Sequence, residues 1–219
     1  MQLQEAQDRD NRAAQAGYAC QRLNTMTGMY GRLIATGPAE LLAARYGVQI
    51  PSGWLPSSNL RQGRQGLIIR HDQWGRRQAA VLRMRGGEDV LSADGVSRVS
   101  RLGQGNRCII PVNGYCICRD GSCHYITMKD YSLMNCTGIL KPGQNLGGTV
   151  QDCFSLLTTS ANVLLAPLHP KMPLLLHHSE IDHWLRGEGP VAQELERISL
   201  PYPSGLMQVC PLLKHQDSE

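Results

Sequence analysis

The sequence predicts a single α+β domain made mostly of short strands, and three observations carry that reading. Apolar runs of strand length recur along the chain, each bounded by Gly, Pro, Asn or Asp. Only two segments carry both the start and the stop signal of a helix. At 219 residues the chain fits one medium domain, or one domain with a tail, and can bury a full core.

The elements follow in order. Residues 1–28 are rich in Gln, Asp, Arg and Ala, with too little apolar surface to anchor a helix, and read as a polar N-terminal arm. The folded domain is placed at 29–219. A short strand is expected at 32–35. Pro38 at a first-turn position and Glu40 near the positive end start a helix, which Gly47 ends. Strands at 66–71 and 78–84 flank a hairpin turn at 72–77. Further strands are expected at 107–112, 123–128, 132–140 and 154–159. A late helix spans 179–186, with Ser179 as its cap, Asp182 at capping-box spacing and Gly187 closing it. There is no internal repeat.

Composition narrows the class. No run of 18 apolar residues is present, so no membrane-spanning helix is expected. The first residues lack the basic start and apolar stretch of a secretory signal, and a cytoplasmic location follows as the expectation. In that compartment the eight cysteines are expected as reduced thiols. A single Phe154 leaves burial to Leu, Ile, Val and Met.

The formal charge is +4, but arginine outnumbers lysine 18 to 4. Ten arginines lie between Leu60 and Arg107, against Asp72, Glu88, Asp89 and Asp94. Arginine's planar fork suits phosphate oxygens, so this stretch points to a polyanionic partner. A solvated surface rich in arginine is the plainer alternative.

Three short segments carry the functional reading together. They are Met29-Tyr30-Gly31-Arg32-Leu33, the run Asn106-Arg107-Cys108-Ile109-Ile110-Pro111-Val112-Asn113-Gly114-Tyr115, and Leu168-His169-Pro170-Lys171-Met172-Pro173. The last is preceded by Leu157-Thr158-Thr159-Ser160-Ala161-Asn162. In order and spacing these resemble the signature of the SRAP family, the SOS-response-associated peptidase-like proteins. Thr137-Gly138-Ile139-Leu140 and Trp184-Leu185 add further matches, so the likeness runs from about Met29 to Cys210.

The resemblance implies a barrel-like antiparallel core with a few helices. It also implies a protein of the DNA-damage response that recognises single-stranded DNA carrying abasic sites. In that family an N-terminal cysteine supplies amine and thiol to the ring-opened sugar aldehyde, giving a thiazolidine crosslink. An Asn, a Glu and a His assist by holding and moving protons.

Carried over position by position, that set is depleted here. The nucleophile position is Tyr30, whose phenol is protonated near neutral pH. The glutamate position is Ile117, which neither gives nor takes a proton. The asparagine position falls on Ser92. His169 alone is retained. The reading is therefore a pseudoenzyme that binds single-stranded or abasic-site DNA without the covalent link. A protein partner for the same groove is a further reading.

Arg32 follows Gly31, where backbone approaches a ligand closely, and is a candidate phosphate contact. Arg85, Arg107 and Lys171 join it, and Trp74 offers a ring for base stacking. Asn162 and Thr159 read as buttresses rather than reacting groups. Two alternatives stay open. One is residual peptidase or lyase chemistry using Tyr30, a thiol or Lys171. The other is a metal held by Cys116, Cys118, Cys123 and His124, or by His177, His178 and His183. The cysteine spacing is not that of paired zinc knuckles, so no metal and no cofactor are expected.

Overall fold

A computed structural model describes residues 32–85, 91–92, 106–119, 121–141, 152–187, 198 and 200–212. Tyr30, Gly31, Arg98, Arg101 and the arm at 1–28 lie outside them. The described elements are β1 (Arg32–Ala35), α1 (Ala39–Tyr46), β2 (Ser57–Leu60), β3 (Gln65–His71), β4 (Arg77–Met84) and β5 (Leu91–Ser92). They continue with β6 (Arg107–Val112), β7 (Gly114–Arg119), β8 (Ser122–Met128), β9 (Met134–Lys141) and β10 (Cys153–Ser160). The chain then forms β11 (Lys171–Pro173), β12 (Leu175–Leu176), α2 (Ile181–Arg186) and β13 (Met207–Leu212).

The strands make two sheets. One runs β13-β8-β7-β1-β2, all antiparallel. The other runs β11-β10-β4-β3-β6-β9-β12 and also pairs β10 with β9, so β10, β4, β3, β6 and β9 close into a ring. Closure leaves those five strands without an open edge. The expected α+β domain with a barrel-like core is what forms.

The central strands are buried on both faces, which is why β6 and β9 read as nearly continuous apolar runs. Cys108, Ile110 and Val112 of β6 enter the main core with Leu33, Tyr115, Phe154 and Met207. Ile109 points the other way, into a second cluster with Leu67, Trp184 and Leu185 that seats α2. Glycine is required where the main core is tightest. A Cβ on Gly138 would lie 2.8 Å from the Ile110 Cδ1 and 3.0 Å from the Cys108 Sγ.

Several expectations shift in detail. Pro38 is the residue before α1, with extended backbone, rather than its first turn. Gly47 ends α1 in the left-handed conformation, as its lack of Cβ allows. The late helix begins differently. His178–Glu180 form a 3₁₀ turn, and its capping box joins His177 to Glu180, whose Oε2 accepts the His177 N–H at 3.0 Å. Ser179 therefore lies inside the turn rather than capping it.

The expectation of reduced thiols throughout is corrected at one place. Cys118 and Cys123 are directly paired across the β7–β8 hairpin and are joined by a disulfide, with Cα atoms 4.1 Å apart. The register of the hairpin sets this, and sequence spacing alone did not reveal it.

Candidate functional site

β10 is the strand that gathers the positions singled out by sequence. On one side it pairs in parallel with β5, setting Thr158 beside Ser92. On the other it pairs with β11, setting Ser160 beside Lys171 and Thr158 beside Pro173. Thr158 and Thr159 are both buried and hold the strand in place rather than facing solvent.

Asn162 builds the turn that leads to His169. Its Oδ1 accepts the N–H groups of Leu164 and Leu165, each at 3.1 Å. Its Nδ2 donates to the Tyr202 carbonyl at 2.8 Å. An Asn suits this because one short side chain offers acceptor and donor at once. The His169 N–H in turn donates to the Leu165 carbonyl at 3.0 Å. The imidazole Nδ1 lies 3.1 Å from the Lys171 N–H and 3.0 Å from the Lys171 carbonyl. With the proton on Nε2, Nδ1 accepts from Lys171; with it on Nδ1, the ring donates to the carbonyl instead. His169 is thus held by its own turn, half-buried, beside Lys171.

Arg32 and Ile117 sit on neighbouring strands of the five-stranded sheet, where Arg32 pairs with Cys116. Arg32 is only 4% exposed, and its Nε and Nη2 have no hydrogen-bond partner among the described residues. A buried guanidinium left this way is costly unless an anion completes it. Ile117 is 3% exposed and belongs to the same apolar cluster as Leu165, the residue that anchors the His169 backbone. The side chain at this position is hydrocarbon packed on hydrocarbon.

The remaining positions divide. Trp74 is 70% exposed at the β3–β4 hairpin tip, with the Arg76 guanidinium 5.0 Å from its ring centre. Asp72 fixes that tip by accepting the Trp74 and Arg76 N–H groups, both at 2.9 Å. Arg85 follows β4, and its N–H donates to the Phe154 carbonyl at 2.9 Å. Arg107 is buried, and its Nη1 donates to the Trp184 carbonyl at 3.3 Å. That position serves α2 and does not offer a phosphate contact.

Other arginines of the basic stretch are also engaged within the protein. Arg70 pairs with Asp152, Arg77 with Asp182, Arg76 with Asp72, and Arg83 donates to the Gly63 carbonyl. The charge count from sequence therefore overstates what is free for a polyanion.

Three of the described thiols offer little as replacement nucleophiles. Burial pushes the Cys108 and Cys136 thiols far up, away from the reactive thiolate, and raises that of Cys210. Cys118 and Cys123 are bonded to each other, so neither sulfur is a free ligand for zinc. His177, His178 and His183 are all exposed. His177 Nδ1 lies 3.2 Å from the Tyr202 hydroxyl, and the His178 ring centre lies 6.0 Å from that of Tyr46. Sequence reading did not single out Arg45, Lys129 or Tyr202, which line a cavity with His177 and His178. None of them lies in a motif, and only the packing of distant segments unites them.

The strands and helices define a closed, strand-rich α+β domain in which the turn after β10 holds His169 beside Lys171. Residues 98–215, a little over half of the chain, match the family model described as SOS response associated peptidase (SRAP). The chain belongs to the SRAP family.

Solved structures share the fold at low identity. A protein from Bordetella bronchiseptica is 18% identical with a TM-score of 0.66, over 83% of this chain and 98% of that one. A protein from Bacteroides thetaiotaomicron is 20% identical with a TM-score of 0.62, over 83% and 90%. A phage-related protein from Bordetella bronchiseptica is 16% identical with a TM-score of 0.64, over 84% and 94%. Among curated proteins, none matches this chain.

Proposed function

We propose that this SRAP-family protein binds single-stranded DNA, including DNA with abasic sites, and does so without a covalent link. The observation that carries the reading is the pairing of two neighbours in the five-stranded sheet. Arg32 presents buried N–H groups that lack a partner among the described residues, while Ile117 fills the position of the family's acid with apolar bulk. Phosphate recognition needs only charge and geometry, whereas thiazolidine formation needs a thiol, an amine and proton transfer. Arg85 and Lys171 lie at the strand ends flanking β10 and supply further phosphate contacts, and the exposed Trp74 ring supplies a stacking surface. Arg107 is left out, because its guanidinium is committed to Trp184.

The test is incubation with single-stranded DNA, with and without one abasic site. One portion is resolved on a denaturing gel and another by salt-dependent fluorescence anisotropy. The expected result is salt-sensitive binding with no adduct that survives denaturation. Arg32→Gln should weaken binding and flatten the slope of log affinity against log salt by about one. A stable adduct, or an unchanged slope in Arg32→Gln, would overturn the reading.

A further inference from the structure

A cavity of about 380 Å³ opens where α1, the turn after β8, the end of β12 and the segment around Tyr202 meet. It shares no lining residue with the β10–β11 edge, so it stands apart from the DNA reading. Its polar wall is cationic. Arg45 comes from the last turn of α1 and Lys129 from the turn after β8, while Asp130 is the one carboxylate among the lining residues. Asp130 is already engaged, accepting the Ser132 N–H at 3.0 Å.

The neutral polar groups beside them are internally satisfied. The Tyr46 hydroxyl donates to Asn135 Oδ1 at 2.7 Å, and Asn135 Nδ2 donates to the Leu176 carbonyl at 3.0 Å. Arg45 touches the Tyr46 hydroxyl, yet its Nε is shut off from solvent with no partner among the described residues. The turn that carries Lys129 and Asp130 also holds Tyr131 at φ 56°, the single non-glycine residue with positive φ among the described residues. Such a conformation costs energy that the surrounding structure must supply.

His178 reports the local field. Burial, then the nearby Arg45 and Arg77, hold its imidazole below the ordinary value, against the opposing pull of Asp182. Two cations therefore act on this imidazole, while Asp130 and Glu180 act in the opposite sense on the Tyr202 hydroxyl across the same cavity. Leu133, Leu175 and Leu206 add apolar lining, and Tyr202 lines the cavity with its ring centre 4.8 Å from that of His177.

From the cavity, its two cations and its apolar lining, we infer that this is a binding site for a small organic phosphate monoester. The phosphate sits on Arg45 and Lys129, and the organic part lies against Leu133, Leu175, Leu206 and Tyr202. Two cations suit a dianionic head better than a single carboxylate, and charge-assisted hydrogen bonds fix its orientation. The volume falls in the range of small-molecule sites.

The test uses the full chain and three probes in calorimetric titration: a nucleoside 5′-monophosphate, the same nucleoside, and inorganic phosphate. The nucleotide should bind saturably, with the nucleoside and inorganic phosphate each weaker by roughly tenfold or more. Arg45→Met should weaken the nucleotide by a similar factor and leave the nucleoside unchanged. Lys129→Gln, at an exposed position, should weaken it as well and decides the matter if Arg45→Met fails to fold. Bound phosphate should also raise the titration midpoint of His178 in NMR spectra, since its charge offsets Arg45 and Arg77. No saturable binding, equal affinity for nucleotide and nucleoside, equal affinity for nucleotide and inorganic phosphate, or full affinity in Lys129→Gln would each overturn the assignment. DNA binding by the same preparations separates this site from the proposed groove, because the two use different residues.

Discussion

The Arg107 guanidinium lies 4.8 Å from the centre of the Trp184 ring and donates to the Trp184 carbonyl, while Trp184 Nε1 donates back to the Cys108 carbonyl at 3.0 Å. The two residues lock α2 onto β6 from both directions. The guanidinium also complements the negative end of a helix too short to hold itself.

Trp184→Phe keeps an aromatic ring but loses the N–H-bearing half of the indole, leaving the Cys108 carbonyl without that donor. The expected loss is about 1–3 kcal/mol of stability, read as a lower urea midpoint with an unchanged m-value. Trp184→Ala should cost about 3–5 kcal/mol. An unchanged midpoint in Trp184→Phe would mean that α2 is not held through this bond.

Gly114 opens β7, paired with Thr127 of β8. An added Cβ would clash with the Ile126 carbonyl and come within 2.7 Å of the Tyr125 ring. Because one obstacle is backbone, it cannot move aside as a flexible side chain does. Gly114→Ala is expected to lower stability by about 1–3 kcal/mol or more. A thermal melt indistinguishable from the parent would contradict this geometry.

The Cys118–Cys123 disulfide closes a short loop, and chain-entropy arguments assign such a link about 2 kcal/mol. Thiol counting under native, non-reducing conditions should find fewer reactive cysteines than after reduction. Cys118→Ser should melt at the same temperature as the reduced parent. A parent whose melting temperature ignores reductant would show the link is absent or without effect.

Acid should destabilise the protein in two steps. Burial, outweighing the pull of Asp182, holds His71 below its ordinary value of 6.5. The unfolded chain therefore takes up that proton first, so stability is full above about pH 6.5 and falls as pH drops through the folded value. His178 acts in the same direction. A second loss begins below the ordinary Asp value of 3.8, because the hydrogen bond from Arg77, at 2.7 Å, holds Asp182 lower in the folded state. Asp182 is partly exposed, so its share is modest. Melting temperatures measured across this range should decline below pH 6.5, and less steeply in His71→Gln. A flat profile between pH 7 and 5 would contradict the first step.

Much of the fold was legible because its signals are local. The strands at β1, β3, β4, β6 and β9 are apolar runs between turn residues, and Gly47 and Gly187 mark helix ends by a backbone conformation that glycine favours. The closed ring was not legible from periodicity. It depends on β10 meeting both β4 and β9, which are distant in sequence. The strands β2, β5, β7, β11, β12 and β13 were missed for a related reason. β2, β5, β11 and β12 are brief, and β7 and β13 are held extended by partners on other strands.

By itself the sequence determined the family likeness, the residue types at Tyr30 and Ile117, and the turn chemistry around Asn162 and His169. Those depend on residue identity and short spacing. Only the tertiary structure decided what each charge does. It buried Arg107 against Trp184, tied Arg70, Arg76 and Arg77 to carboxylates, and left Arg32 and Arg45 with buried N–H groups unsatisfied among the described residues. A charge's role is set by its partners and its access to water, and folding alone brings those together from across the chain.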